Sequence, residues 1–480
     1  MGDAIIAQFK ELIGAQNCLT EAADIAPYCR EWRDKFFGSC NLVLKPASTA
    51  EVSDVMKLAY EKNIAIVPQG GNTGLVGAQI TDDSADQVVL SLERLNAIRT
   101  LDAESNVAIV EAGVILETLQ QAADESDRLF PLSLGAQGSC QIGGNLSANA
   151  GGTNVLAYGN MRDLVLGLEV VLPDGRIFNG LRSLRKDNTG YDLKHLFIGA
   201  EGTLGVITAA SLKLYPKPRE QQVAVFAVDD PEMALELFQL ARGDAGQMMT
   251  GFELMPRIGV DFTLKHGEGI RDPLEEPHPW YCLIELSIGS KAVNGRALIE
   301  SIFEEAFEAG LVRDAVLAES QQQADDFWRL RHGMSEIQKF EGGSIKHDIS
   351  VPVKSIPAFL ARAIAASEET IPGCRPVPFG HMGDGNIHFN ISQPVGADRE
   401  AFLARWTDLS TVIHGIVKDM NGSISAEHGI GTLKRDELPS VKDRVEMDLM
   451  IGIKTLLDPK GLLNPDKVLS VTALKNNSDL

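Results

Sequence analysis

Nine histidines occur in the 480-residue chain, and four of them, His381, His388, His414 and His428, fall in its last hundred positions. In Pro378-Phe379-Gly380-His381-Met382-Gly383-Asp384-Gly385-Asn386-Ile387-His388, two imidazoles stand on either side of an Asp-Gly turn. If that turn folds back, both rings face one point, as a metal ion requires. Ser425-Ala426-Glu427-His428-Gly429-Ile430-Gly431 adds a carboxylate beside another imidazole. Two His and one Glu leave open positions on Zn²⁺ or a similar ion, which is the pattern of a catalytic site rather than a closed structural one. Spacing alone equally allows histidines that merely cap turns. A third group is cationic. Arg329-Leu330-Arg331-His332-Gly333-Met334-Ser335 reads as helical, with Ser335 one turn beyond Arg331 on the same face, and Lys346 follows in the strand-like run Ile345-Lys346-His347-Asp348-Ile349-Ser350. Guanidinium, hydroxyl and ammonium together bind a carboxylate well; a solvated charged face is the plainer reading of the same residues.

Glycine supplies the second kind of chemistry. The chain holds 45 glycines, above the usual ~7%. The stretch 135–152, GAQGSCQIGGNLSANAGG, is glycine and small polar residues interrupted by Ile142 and Leu146. Such a segment cannot fill a core, but it lets backbone approach a large ligand and donate many N–H groups. Pro68-Gln69-Gly70-Gly71-Asn72-Thr73-Gly74 offers the same at the end of the strand Ile64 to Val67. Neither G-x-G-x-x-G nor G-x-x-x-x-G-K-[ST] occurs, which disfavours a Rossmann site and a P-loop. A mobile Gly/Ser linker is the alternative, and the anchoring apolar residues argue against it.

The elements that must position these residues follow from pattern. Residues 41–68 read as a βαβ unit: Val43 and Leu44 in a strand, Ser48 and Glu51 as a capping box, and Val52, Val55, Met56 and Ala59 at helical spacing. Strands follow at 87–92 and 106–111, with a helix at 115–125. Two strand-like runs flank the turn Pro173-Asp174-Gly175. A strand ends near Tyr215, and Pro216-Lys217-Pro218 marks a boundary. Beyond it the register changes to α+β. A strand at 222–228 precedes an Asp230-Pro231 helix start, then come a strand from Tyr281 to Ile288 and a helix over 292–310. Asp458-Pro459-Lys460-Gly461-Leu462-Leu463-Asn464-Pro465 reads as a compact turn.

Composition excludes several classes. The length predicts two to four domains. With 44 Lys+Arg against 66 Asp+Glu the formal net charge is −22, which argues against a nucleic-acid-binding surface and permits a local basic pocket for an anion. No run reaches the ~18–20 apolar residues of a membrane span, and from the residues Met1-Gly2-Asp3-Ala4 neither a secretory nor a myristoyl signal is expected. Six scattered cysteines without a C-x-x-C pair read as reduced packing thiols in a cytosol-like compartment, so a cytoplasmic location is expected.

Pro68-Gln69-Gly70-Gly71-Asn72-Thr73-Gly74-Leu75-Val76-Gly77, the run from Gly138 to Gly152, Asp187-Asn188-Thr189-Gly190-Tyr191-Asp192 and Gly199-Ala200-Glu201-Gly202-Thr203-Leu204-Gly205 resemble the FAD-binding module of vanillyl-alcohol-oxidase-type flavoproteins. The Gly-His-Met-Gly-Asp-Gly-Asn-Ile-His and Glu-His-Gly-Ile-Gly motifs resemble those of its D-lactate, glycolate and D-2-hydroxyglutarate dehydrogenase branch, nearest to the last. The likeness runs from about residue 40 to 467.

The resemblance implies an α+β fold. It comprises a two-subdomain FAD-binding domain of PCMH/VAO type over 1–218, an inserted α+β cap (substrate) domain with the metal site over 219–435, and a C-terminal segment, 436–480, returning to the FAD domain. FAD would be held by Pro68, Gly70, Gly71, Asn72, Thr73, Gly74, Gly138, Ser139, Gly143, Gly144, Asn145, Ser147, Asn149, Gly151, Gly152, Gly202, Val206 and Ile207. Where covalent relatives carry histidine this chain has Asn72, so the flavin is expected to be non-covalent. His381, His388 and Glu427 would hold a divalent metal, Zn²⁺ ahead of Mn²⁺ or Fe²⁺. Arg331, Ser335 and Lys346 would take a distal carboxylate, and Ser335 stands where the eukaryotic enzymes commonly carry Thr. Asn390, on the strand face of His388, would add a hydrogen bond to the substrate, and His428 would be the base. The implied reaction is oxidation of D-2-hydroxyglutarate to 2-oxoglutarate by hydride transfer to flavin N5, with D-lactate or D-malate as the alternative substrate. Electrons would leave to a separate carrier, electron-transferring flavoprotein being favoured over a quinone-linked acceptor, and a homodimer is expected.

Overall fold

The computed structural model describes residues 2–470, and the chain divides into two compact units. The first contains residues 2–151, 160–217 and the described part of 427–480. Its first sheet takes β1 (Cys18–Leu19), β2 (Val43–Leu44), β3 (Ile66–Gln69) and β4 (Val88–Ser91) in the order β1-β2-β4-β3, parallel except for β1. The helix Thr49–Lys62 links β2 to β3. It starts where its capping signal lies: Ser48 Oγ accepts the Glu51 N–H at 3.1 Å and Glu51 accepts the Ala47 N–H at 2.8 Å. Its buried face, Val52, Val55, Met56 and Ala59, joins Leu44, Ile66, Val88 and Leu90 in one core. The outer edge of β3 is covered by the C-terminal turn, with the Ile66 N–H donating to Leu462 O at 2.8 Å and the Asn464 N–H to Ile66 O at 2.7 Å.

A second, antiparallel sheet takes β5 (Ile98–Asp102), β6 (Val107–Glu111) and, after the short β7 (Arg128–Leu129), β8 (Val165–Val171), β9 (Ile177–Gly180) and β10 (Val206–Lys213). Its order is β5-β6-β10-β8-β9, while β7 pairs with β11 (Tyr215–Pro216). The glycine run expected as a loop contains a short helix, Ile142–Ala148. Ile142 and Leu146 anchor it by burial, and that outweighs the poor helix propensity of Gly143 and Gly144.

The second unit, residues 152–159 and 218–426, is built on one antiparallel sheet. Its strands are β12 (Glu220–Val228), β13 (Met249–Pro256), β14 (Trp280–Ile288), β15 (Asp314–Leu317), β16 (Ser344–Ser350), β17 (Arg375–His381) and β18 (Asn386–Ser392), in the order β15-β12-β14-β13-β17-β18-β16. The helices Arg257–His266 and Gln321–Ile337 pack on the face carrying Val225, Leu283 and Phe379. The opposite face meets other helices through Phe226 on Phe303, Phe238 on Phe252 and Phe359 on Phe389.

Two expected boundaries move. Residues 152–159 group with the second unit because the helix Val155–Tyr158 packs there, with Leu156 against Gly383. Residues 427–435 group with the first unit because Glu201 accepts the N–H groups of Ile430 and Gly431, while Val76 O accepts those of Thr432 and Leu433.

Candidate active site

The turn between β17 and β18 brings the two histidines together. Gly385 sits at φ +92, and a Cβ there would lie 2.3 Å from Val351 O, so only glycine permits the reversal. His381 and His388 then face each other with ring centroids 5.4 Å apart and planes at 79°. Each ring has a carboxylate at Nδ1. Glu253 Oε1 lies 2.7 Å from His381 Nδ1, and Asp348 Oδ1 lies 3.7 Å from His388 Nδ1 and accepts the Asn386 amide at 2.9 Å. At His381 the 2.7 Å contact to Glu253 fixes the tautomer and makes Nε2 the ligand nitrogen, whereas the 3.7 Å separation at His388 is a charge contact and not a hydrogen bond. The Ala426 N–H reaches Asp348 O at 3.3 Å, and Glu427 is the next residue. One ligand atom from each of His381, His388 and Glu427 lies within 4.8 Å of the others. A two-imidazole, one-carboxylate donor set with carboxylates behind the rings suits Zn²⁺ and similar ions.

Glu253 connects this pair to the cation predicted from the helix. It lies opposite His381 in the β13/β17 register, and its Oε2 accepts from Arg331 Nε at 2.7 Å. The Glu253 and Arg331 side chains are 1% and 4% exposed. Burial opposes the charge of Glu253, yet the nearby Arg331 and His381 prevail and hold its carboxyl down, at about 2. The Arg331 guanidinium lies over Phe379, 4.8 Å from the ring centroid. Its Nη2 is buried with no hydrogen-bond partner among the described residues. An orphaned buried donor costs roughly 1–3 kcal/mol, so it fits an anion that the ligand-free chain lacks. One turn on, Ser335 O accepts from Lys346 Nζ at 2.5 Å, and Lys346 stands directly opposite Asn390 in the β16/β18 register. The ammonium thus meets the backbone of Ser335. By alternation Lys346, Asp348, His388, Asn390, Phe379, His381 and Glu253 all lie on one face of the sheet.

The glycine loops of the first unit close on one another. A Cβ on Gly71 would lie 2.1 Å from Ser139 O, and one on Gly143 would lie 2.7 Å from the Ala112 Cβ, so these backbones touch without room for side chains. Gly70 meets Gln141 Oε1, and Gly202, at φ +71, sits on Pro68. Gln141 Oε1 and Asn145 Nδ2 are buried with no hydrogen-bond partner among the described residues, while Gly144 has open space around it. Unsatisfied polar atoms beside bare backbone are what a dinucleotide would occupy. Thr73, Gly74, Gly138, Ser147 and Gly151 belong to the same loops of this unit, and Val206 and Ile207 are buried at the start of β10. Gly152 begins the excursion into the second unit. Asn72, at φ 55, spends its amide on Pro27 O (3.2 Å) and Arg30 O (2.9 Å), and its Oδ1 accepts from Gln79.

Sequence reasoning missed Glu253, Asp348 and Glu201. Glu253 is a lone acid inside the otherwise uncharged strand Met249–Pro256, and that misfit was the available signal. Glu201, at φ 51, accepts the Ile430 and Gly431 N–H groups at 2.7 and 2.8 Å and so holds the loop that carries His428.

Residues 40–180 match the family described as FAD binding domain, and residues 217–468 match the FAD linked oxidases, C-terminal domain. A protein of Arabidopsis thaliana named D-2-hydroxyglutarate dehydrogenase, mitochondrial, is 38% identical over 98% of this chain and 82% of its own length. One of Danio rerio with the same name is 40% identical over 92% and 80%, and D-2-hydroxyglutarate dehydrogenase of Xanthomonas citri pv. viticola is 36% identical over 98% and 97%. Among solved structures, p-cresol methylhydroxylase superposes with a TM-score of 0.73 at 17% identity over 98% of this chain and 97% of its own. Alkyldihydroxyacetonephosphate synthase gives 0.73 at 18% identity over 97% and 85%. No helix among the described residues is long and apolar enough to cross a membrane. The glycine loops, the two family matches and the near-full-length relatives agree: the chain has the PCMH/VAO-type fold and belongs to the family of FAD-dependent D-2-hydroxyglutarate dehydrogenases.

Proposed function

We propose that the chain oxidises D-2-hydroxyglutarate to 2-oxoglutarate, with the electrons passing to FAD and then to a separate carrier of the electron-transferring flavoprotein kind. The observation that carries the dicarboxylate reading is the buried, unpartnered Nη2 of Arg331 on a helix packed over the face that bears His381 and His388. When bound, FAD supplies a two-electron acceptor at its N5. His381, His388 and Glu427 would hold a divalent ion, Zn²⁺ first, whose positive charge would make a neighbouring hydroxyl more acidic. Arg331, Ser335 and Lys346 bind the distal carboxylate and set its distance from the reacting carbon. Asn390 donates to the C1 carboxylate, and His428 takes the hydroxyl proton on its imidazole. Glu253 keeps the Arg331 fork and the His381 ring in their orientations through its two oxygens. The chain's own contribution is therefore charge and position, while the redox chemistry is the cofactor's.

Anaerobic titration with a panel of D- and L-2-hydroxy acids, read as bleaching of the flavin spectrum, tests this. D-2-Hydroxyglutarate should bleach at the lowest concentration, and chelation should abolish bleaching and release one metal per chain. Preference for D-lactate or D-malate would refute the dicarboxylate reading. Full activity in metal-free protein would refute the metal.

A further inference from the structure

Two of the six cysteines share a contact that the catalytic reading does not use. Cys29 ends the turn Ala26–Cys29, Cys40 lies just before β2, and their sulfurs are 3.4 Å apart. The chain between them folds back on itself: the Glu31 N–H donates to Phe36 O at 3.0 Å, the Gly38 N–H donates to Cys29 O at 2.9 Å, and Arg30 bridges Phe37. A disulfide needs about 2.05 Å between sulfurs, so the two must approach by about a further 1.4 Å, and the segment joining them is a surface hairpin with Trp32 and Phe37 more than half exposed. We propose that Cys29 and Cys40 form a reversible dithiol/disulfide site that reacts with low-molecular-weight disulfides.

The order of attack follows from the contact. The Cys40 S–H stabilises the Cys29 thiolate and lowers its pKa against the effect of burial, while Cys40 is raised by Cys29 and by burial. Cys29 is therefore the attacking sulfur and Cys40 the resolving one. The Cys29 thiolate attacks one sulfur of the small disulfide, forming a mixed disulfide and expelling one small thiolate. Cys40 then gives up its proton and attacks the Cys29 sulfur, and the second small thiol leaves. The protein loses two electrons and two protons, and the small disulfide gains them as two thiols. Cys29 is itself buried and Cys40 half-buried, so the sulfur contact and not exposure sets the pair apart; the other four cysteines are buried as well, burial raises Cys18, Cys140, Cys282 and Cys374 alike, and they serve as internal controls. The hairpin also touches the first glycine loop, since Asn72 donates to Pro27 O and Arg30 O and the Phe36 ring packs on Gly77.

The test uses FAD-loaded enzyme incubated with oxidised glutathione, acid-quenched, alkylated and mapped by mass spectrometry. Two of six thiols should be lost, in a cross-linked peptide containing Cys29 and Cys40, and dithiothreitol should restore both. Cys40→Ser should stop at a glutathione adduct on Cys29, and Cys29→Ser should form neither product. The wild-type map decides by itself: six thiols alkylated as before, or adducts without the cross-link, would overturn the proposal.

Discussion

Replacing Arg331 by alanine separates the dicarboxylate reading from a structural role for the same residue. The guanidinium makes one charge-assisted bond inward, from Nε to Glu253 at 2.7 Å, and leaves Nη2 buried and unmatched. Truncation has two effects of different kinds. It strips Glu253 of its main counter-charge, and breaking a buried ion pair from one side costs roughly 3–5 kcal/mol of stability. It also removes a desolvated cation from a distal carboxylate, worth on the order of 2–5 kcal/mol in transition-state binding, or about 30-fold to several thousand-fold in kcat/KM. The first effect damages every substrate alike, through loss of folded protein and a displaced His381. The second acts only on substrates with a second carboxylate. Steady-state kinetics of the purified, flavin-loaded variant with D-2-hydroxyglutarate and with D-lactate cancel the first and expose the second. The ratio of the two kcat/KM values should fall by at least about 30-fold. Equal losses on both substrates would refute the reasoning, and Arg331 would then be a structural counter-ion for Glu253 and nothing more.

Three further outcomes follow from the same geometry. His428→Ala should purify yellow and bind metal as wild type does, yet show no flavin bleaching by substrate in anaerobic stopped flow; normal reduction would remove His428 as the base. Gly71→Ala places a methyl carbon 2.1 Å from Ser139 O, so the ratio of flavin to protein absorbance should drop severalfold, and full FAD occupancy would contradict the described loop contact. Burial raises the Glu201 carboxyl from 4.5 to about 7 against the N–H donations of Ile430 and Gly431. Between those values the folded protein holds a proton that the unfolded chain has released, so this stabilisation is full below about 4.5 and is lost as pH rises through about 7, on the order of 3 kcal/mol in all. The Tm difference between wild type and Glu201→Gln should fall across that window, and a difference independent of pH would contradict the assignment.

What sequence makes legible here is what local physics determines. Ser48 and Glu51 announce the helix start, Asp384-Gly385 announces the reversal that pairs His381 with His388, and Asp230-Pro231 announces another helix. The groups that complete the site come from far along the chain and have no local signature. Glu253 is 128 residues from His381, and Glu201 is 229 residues from Ile430. The helix Ile142–Ala148 was hidden because two of its seven residues are glycines, and only the burial of Ile142 and Leu146 makes it form. Cys29 and Cys40 gave no motif because a hairpin, not a helical turn, brings them together.

The covering of β3 by Leu462–Asn464 has a consequence for biosynthesis. Ile66 and Leu463 are neighbours in space and about four hundred residues apart in sequence. Lys454, buried, binds Thr203 O, Leu463 O and Asp458 and ties the helix Arg444–Leu457 to the same place. A ribosome delivers residues in order, so the edge of β3 waits bare through most of translation. The continuous stretch 218–426 is complete while the unit encoded on both sides of it still lacks its last segment. The first part of the chain to be made belongs to the last part to be finished, and a nonsense mutation that spares every proposed catalytic residue but removes residues beyond 450 leaves an open strand edge of the kind that aggregates.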